Sequence, residues 1–197
     1  MDNLPILPLP ESQPASVKPV ALWRVVWEVV ETAILAALLF VIINAVSARI
    51  RVDGSSMEPT FHDGEYVLIN RLAYTWGQIS RGDVVIFYLA DRPKRDYIKR
   101  VIGLPGDYIE VSGRQVRVNG ELLNEPYIAA APTYTGVWTV PEGAIFVFGD
   151  NRNNSTDSHN WGAIPTEDIV GRAIVIYWPP IHWDVIESVI LTGNWIR

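Results

Sequence analysis

Apolar and polar positions fall into two regimes along the chain. From Thr32 to Ala48, 17 residues run without a charge, centred on Ile34-Leu35-Ala36-Ala37-Leu38-Leu39-Phe40-Val41-Ile42-Ile43. A run of this length is near the minimum that crosses a bilayer core of about 30 Å. Just before it, Trp23 and Trp27 stand four apart on one helical face, as interfacial aromatics do, while Arg24, Glu28 and Glu31 occupy a polar face. The pattern predicts one membrane anchor helix over residues 22–48, amphipathic at its start and apolar afterwards.

Beyond Thr60 the pattern becomes strand-like. Tyr66 to Asn70, Val84 to Tyr88, Asp96 to Ile102, Ala144 to Phe148 and Ala173 to Trp178 read as strands, several of them apolar on both faces. Between Tyr108 and Leu123, Ile109, Val111, Val116 and Val118 alternate around Ser112-Gly113 and Asn119-Gly120, the second a type I′ hairpin signal. A loop is expected through Gly77, a charged turn at residues 91–95, an irregular excursion over residues 124–140 and a helical turn entry at Pro165-Thr166-Glu167-Asp168. The chain thus divides into a flexible leader over 1–21 rich in proline, the anchor, a mainly β body over 49–183 with a small insertion at about 108–140, and a tail over 184–197.

Two other readings of the apolar run are weaker. A buried core helix would need surroundings that nothing else in the chain offers. A cleavable signal peptide would fit the small residues at Ala45-Val46-Ser47 and Val46-Ser47-Ala48. However, over 30 residues precede the apolar core, and they include Glu28 and Glu31, unlike a short basic leader. Charge does not orient the helix, because Lys18 and Arg24 on one side face Arg49 and Arg51 on the other.

Composition narrows the function classes. The 197 residues carry a net charge of −6 and show no basic stripe with interleaved aromatics, which argues against a nucleic-acid partner. Cysteine is absent, which removes disulfide and thiol chemistry. His62, His159 and His182 stand far apart with no metal-ligand spacing, so neither a metal site nor a cofactor is expected.

Three polar stretches remain as candidate chemistry. In Gly54-Ser55-Ser56-Met57-Glu58-Pro59-Thr60 a serine pair sits in a turn that can present a hydroxyl at a sheet edge. In Asp96-Tyr97-Ile98-Lys99-Arg100-Val101-Ile102 alternation puts Lys99 with Tyr97 and Val101, and Arg100 with Ile98 and Ile102. One cation must then lie on an apolar face, unless both snorkel to water. Burial lowers a lysine pKa and makes it a general base for a serine, whereas arginine keeps its proton. The third stretch, Gly149 to His159, fails as a calcium loop because Arg152 occupies the third position and no Glu the twelfth. A triad of Ser56, His159 and Asp150 or Asp157 stays open at this point, since triads are recognised by geometry.

Ser55-Ser56-Met57-Glu58-Pro59-Thr60, Arg81-Gly82-Asp83-Val84-Val85-Ile86-Phe87, Lys99-Arg100-Val101-Ile102-Gly103-Leu104-Pro105-Gly106-Asp107 and Gly149-Asp150-Asn151-Arg152-Asn153-Asn154-Ser155-Thr156-Asp157-Ser158 resemble, in order, the boxes of type I signal peptidases. With the apolar segment the similarity spans roughly residues 30–180. The resemblance implies a bent, antiparallel β-domain behind a single transmembrane helix, and a serine endopeptidase that removes signal peptides after small-x-small sites. It implies Ser56 as nucleophile, Lys99 as general base, Ser155 as the hydroxyl that orients the lysine and Asp157 as a carboxylate bracing the loop. Val52, Met57, Phe61, Tyr97 and Ile98 would line pockets for small side chains. The partners implied are preproteins bearing signal peptides and a lipid bilayer, the enzyme being a monomer. The place implied is the plasma (inner) membrane, with a cytoplasmic N-terminus and the catalytic body outside.

Two positions depart from the family pattern. Gly54 stands where some members carry a serine that donates to the oxyanion, leaving the Ser56 N–H and another donor such as Ser55 or a water. His159 stands where arginine is frequent, two residues after Asp157. Two other classes compete: a self-cleaving Ser-Lys regulator, which should carry a DNA-binding domain, and a non-catalytic anchored β-module, which would leave Lys99 solvated.

Overall fold

The computed structural model describes residues 22–89 and 92–188, so the leader over 1–21 and the end of the tail lie outside the described residues. The chain forms two units, residues 1–42 and 43–197. Helix α1 (Leu22–Val46) has 25 residues, about 37 Å at 1.5 Å per residue, long and apolar enough to cross a membrane. Its large apolar side chains are exposed, Leu35 and Phe40 among them, as on a helix whose solvent is lipid. It ends two residues before the predicted boundary, where strand β1 begins.

The body starts with β1 (Ser47–Arg51) and β2 (Tyr66–Asn70), followed by a short helix α2 (Ala73–Trp76) where a loop was expected. Strands β3 (Val84–Leu89) and β4 (Arg92–Gly103) come next. Residues 92–95 are therefore extended and not a turn, because β4 continues past a register shift until Arg92 pairs with Leu89. Strands β5 (Tyr108–Ser112), β6 (Gln115–Val118), β7 (Glu121–Leu122) and β8 (Gly136–Thr139) make a separate four-stranded sheet, order β7-β6-β5-β8. At the β6–β7 hairpin Asn119 and Gly120 both have positive φ, 53° and 85°, as a type I′ turn requires.

The chain then returns to the larger sheet through β9 (Ala144–Phe148), helix α3 (Ser158–Trp161), β10 (Ile164–Pro165) and a 3-10 turn (Thr166–Asp168). Strand β11 (Ile169–Trp178), a second 3-10 turn (Pro180–His182) and β12 (Asp184–Val185) complete it. Its order is β1-β2-β11-β3-β4-β9-β10, with β12 on β11, and all pairings are antiparallel. The expected tail thus begins as a strand, and Ile186 packs on the core.

The apolar runs of β3 and β9 are buried on both faces, which is why they do not alternate with polar residues. Val84 and Ile86 face one core with Val52, Met57, Phe61, Val67 and Ile69, while Val85 and Phe87 face another with Val101, Ile145 and Val147. Phe146 and Phe148, on the opposite side of β9, join the core of the smaller sheet. Strand β4 crosses all three cores and bends at a register shift between Val101 and Gly103. β9 pairs only with its Arg100–Gly103 end, so among the described residues no strand covers the far edge of Asp96–Lys99.

Candidate active site

Lys99 lies on that uncovered part of β4, on the face with Tyr97 and Val101 that alternation predicts. It is 3% exposed, and its Nζ donates to Ser56 Oγ at 2.6 Å and to Ile98 O at 2.9 Å. Burial pushes the ammonium down from 10.5 to about 8, against the opposing pull of the Asp157 and Asp150 carboxylates. The lysine does not snorkel, and a substantial fraction is neutral just above neutral pH.

Ser56 is presented by the turn between β1 and β2, tied to the Gly149–His159 loop at several points. The Asn151 N–H donates to Ser56 O (3.1 Å), Asn151 Nδ2 to Ser55 O (3.0 Å) and Asn154 Nδ2 to Ser55 Oγ (2.9 Å). The Ser56 N–H has no acceptor among the described residues. Gly54 sits in left-handed backbone (φ 92°), and its N–H is held by Asp63 Oδ1 at 2.8 Å. Space beside it is open, since a Cβ there would meet nothing within 4 Å.

Behind the dyad lies a charged foundation. Arg100, 1% exposed, makes two bonds to Asp150 (2.9 and 2.7 Å) and one to Gly82 O (2.9 Å), and its guanidinium lies 4.1 Å from the centroid of the Tyr127 ring. Asp150 also accepts from Thr60 Oγ1 at 2.5 Å, linking the serine turn to the same carboxylate. Arg152 pairs with Glu125, stapling the loop to the segment after β7.

Asp157 caps α3 and accepts from the Gly149 N–H at 2.9 Å, which ties the two ends of the loop together. His159 Nδ1 lies 2.6 Å from Asp157 Oδ1, and its ring stacks on Tyr134 at 4.2 Å. An Nδ1 on an aspartate is also what a triad histidine has, but among the described residues no bond joins His159 to Ser56, whose Oγ is held by Lys99. Geometry therefore favours the Ser-Lys pair over a triad through His159. Ser155 Oγ is buried and takes no hydrogen bond; the lysine is held by Ile98 O instead.

A cleft of about 530 Å³ opens in front of Ser56 and Lys99, lined among others by Val52, Tyr97, Ile98 and Trp161. Met57 and Phe61 are not on its surface: both are fully buried in the core below, which draws in large apolar side chains. Trp161, in edge contact with Tyr97 at 5.2 Å, was not foreseen; only its aromatic type near the polar box could have hinted at it.

The histidines also depart from expectation. Pairing of β2 with β11 brings His182 beside His62, with Glu65 between them, although 120 residues separate the two in sequence.

The family model described as signal peptidase, peptidase S26, matches residues 26–178. Probable signal peptidase I-2 of Synechocystis sp. is 43% identical over 159 residues, covering 77% of this chain and 73% of that protein. Signal peptidase I of Leptolyngbya laminosa is 37% identical over 179 residues, covering 86% and 88%. A solved signal peptidase I from Enterococcus faecalis aligns at 30% identity over 48% of this chain and 96% of that one, with a TM-score of 0.45. On its family match and its relatives, the chain belongs to the signal peptidase family, peptidase S26, and is a serine endopeptidase of that family.

Proposed function

We propose that the chain removes signal peptides from exported preproteins after a small-x-small site, with Ser56 as nucleophile and Lys99 as general base. The observation that carries this reading is the 2.6 Å contact between Lys99 Nζ and Ser56 Oγ at a buried lysine. Neutral Lys99 takes the Ser56 hydroxyl proton as Oγ attacks the scissile carbonyl carbon. The oxyanion is met by the Ser56 N–H and by a second donor, Ser55 Oγ or a water, in place of the hydroxyl that Gly54 lacks. Lys99 then gives its proton to the leaving amine. A water deprotonated by Lys99 attacks the acyl-enzyme and releases a carboxylate product.

Substrate enters as an extended strand against the uncovered edge of β4, where main-chain hydrogen bonds give affinity. Val52, Tyr97 and Ile98 limit the side chains beside the scissile bond to small ones by overlap. Ser155, once Lys99 turns during the reaction, accepts from its third proton and positions it. The helix α1 keeps the body at the surface of the plasma membrane, N-terminus in the cytoplasm, where a monomer meets signal peptides at high effective concentration.

The test is cleavage of a purified preprotein with an Ala-x-Ala site by the full chain in detergent. The natural chain should cut after the second Ala, and Ser56→Ala and Lys99→Ala should each abolish cutting. Activity that survives Lys99→Ala but is lost with His159→Ala would move the base to histidine. A folded natural chain without activity would overturn the reading.

A further inference from the structure

Of the buried carboxylates among the described residues, Asp83 faces Arg172, Asp107 faces Arg81, Asp150 faces Arg100 and Asp157 faces the single imidazole of His159. Glu65 differs. It is 2% exposed, and its ion-pair partners among the described residues are two imidazoles, His182 Nδ1 at 2.7 Å and His62 Nδ1 at 3.5 Å from Oε1. Its other oxygen is fixed by the His62 N–H at 2.9 Å. The two rings lie 5.7 Å apart between centroids. A buried carboxylate with one oxygen held by a backbone amide and the other faced by two imidazoles is a cation-ligand arrangement.

We propose that His62, Glu65 and His182 bind one zinc ion. One ligand atom from each lies within 4.8 Å of the others. A tetrahedral zinc at about 2.0–2.2 Å needs them roughly 3.3 Å apart. The imidazoles, 56% and 47% exposed, can close that gap by side-chain rotation while Glu65 stays in place. Two nitrogens, one oxygen and a water in the fourth position suit zinc, whereas magnesium and calcium prefer all-oxygen shells. For the ion to bind His182 Nδ1, the ring takes the tautomer that carries its N–H on Nε2, which frees both Nδ1 and Glu65 Oε1 for the metal.

The ion would join the turn after Phe61 to the 3-10 turn after β11. None of the three residues lines the cleft, so the site is structural and independent of the proposed cleavage chemistry. Its route to the cleft is the backbone: the Val52 N–H donates to Glu65 O at 2.8 Å and the Gly64 N–H to Val52 O at 3.0 Å, and Val52 is a cleft wall.

The experiment titrates zinc chloride into the full chain in detergent, freed of metal by chelator and dialysis, with calorimetry and thermal unfolding as readouts. One saturable site and a rise in Tm of several degrees are expected, with no such rise from magnesium. His62→Gln, at a ring exposed to solvent, should lower zinc affinity at least tenfold while leaving the metal-free Tm unchanged; the His62→Gln/His182→Gln pair should remove binding. Absence of saturable uptake by the natural chain, or affinity unaltered in His62→Gln, overturns the site.

Discussion

Lys99 and Arg100 are consecutive in one strand and both are buried, on opposite faces, but only Arg100 has a bound counter-ion. Its partner is Asp150, held by two hydrogen bonds. Among the described residues Lys99 meets a hydroxyl and a carbonyl and no carboxylate at ion-pair distance. Arg100 is thereby fixed in its charged form, while Lys99 is left free to lose its proton. Arg100→Met should destabilise the body by about 3–5 kcal/mol, because it leaves the buried Asp150 charge with only the Thr60 hydroxyl. Urea unfolding checks this, and an effect below 1 kcal/mol would show that the pair is dispensable.

The base should set the pH profile. In the proposed mechanism Lys99 acts as the neutral amine, and with its pKa lowered to about 8, kcat/KM should rise with pH through a single ionisation near 8 and then level off. Lys99→Arg should be inactive across the range, because arginine keeps its proton. A profile that already levels off below pH 6 would exclude this lysine as the base.

The same shift has a cost in stability. The native lysine binds its proton more weakly than the unfolded one, so below pH 8 the charged form is penalised by about 3 kcal/mol, the equivalent of a change from 10.5 to about 8. The penalty fades as pH rises from 8 to 10.5, where the unfolded chain still holds more protons. Lys99→Met should therefore be more stable than the natural chain at pH 7, by on the order of 1–3 kcal/mol, with the gap closing toward pH 10.5. Denaturant titrations at pH 7 and pH 10 measure both points.

Gly149 is a close-approach position. A Cβ there would collide with Ser155 Oγ and with Ser56 O. Gly149→Ala should push the serine turn away from the lysine and lower kcat by 100-fold or more, as a displacement of about 1 Å does elsewhere. Circular dichroism should show the fold retained, and near-natural kcat would mean that the loop yields without moving Ser56.

The sequence made some elements easier to read than others. Continuous apolar runs such as Val84-Val85-Ile86-Phe87 declare buried strands, and Asn119-Gly120 declares its hairpin. Ser47-Ala-Arg-Ile-Arg51 does not: its arginines hide a strand that exists because Tyr66–Asn70 offers a partner. Among site residues, Ser56 and Lys99 stand out through the order of the boxes. The depth of Met57 and Phe61 and the meeting of His62 with His182 come from packing and strand pairing between distant segments, which local pattern does not carry.

The uncovered edge of β4 has a consequence for the protein's own solubility. An edge that can receive a substrate strand can also receive a strand from another copy, and cannot be sealed without closing the cleft. The chain keeps Arg95 and Asp96, both exposed, along that stretch. Exposed charges on an edge resist the desolvation that pairing with a second copy would impose. Exchanging both for valine would be expected to make the body aggregate before it altered the fold.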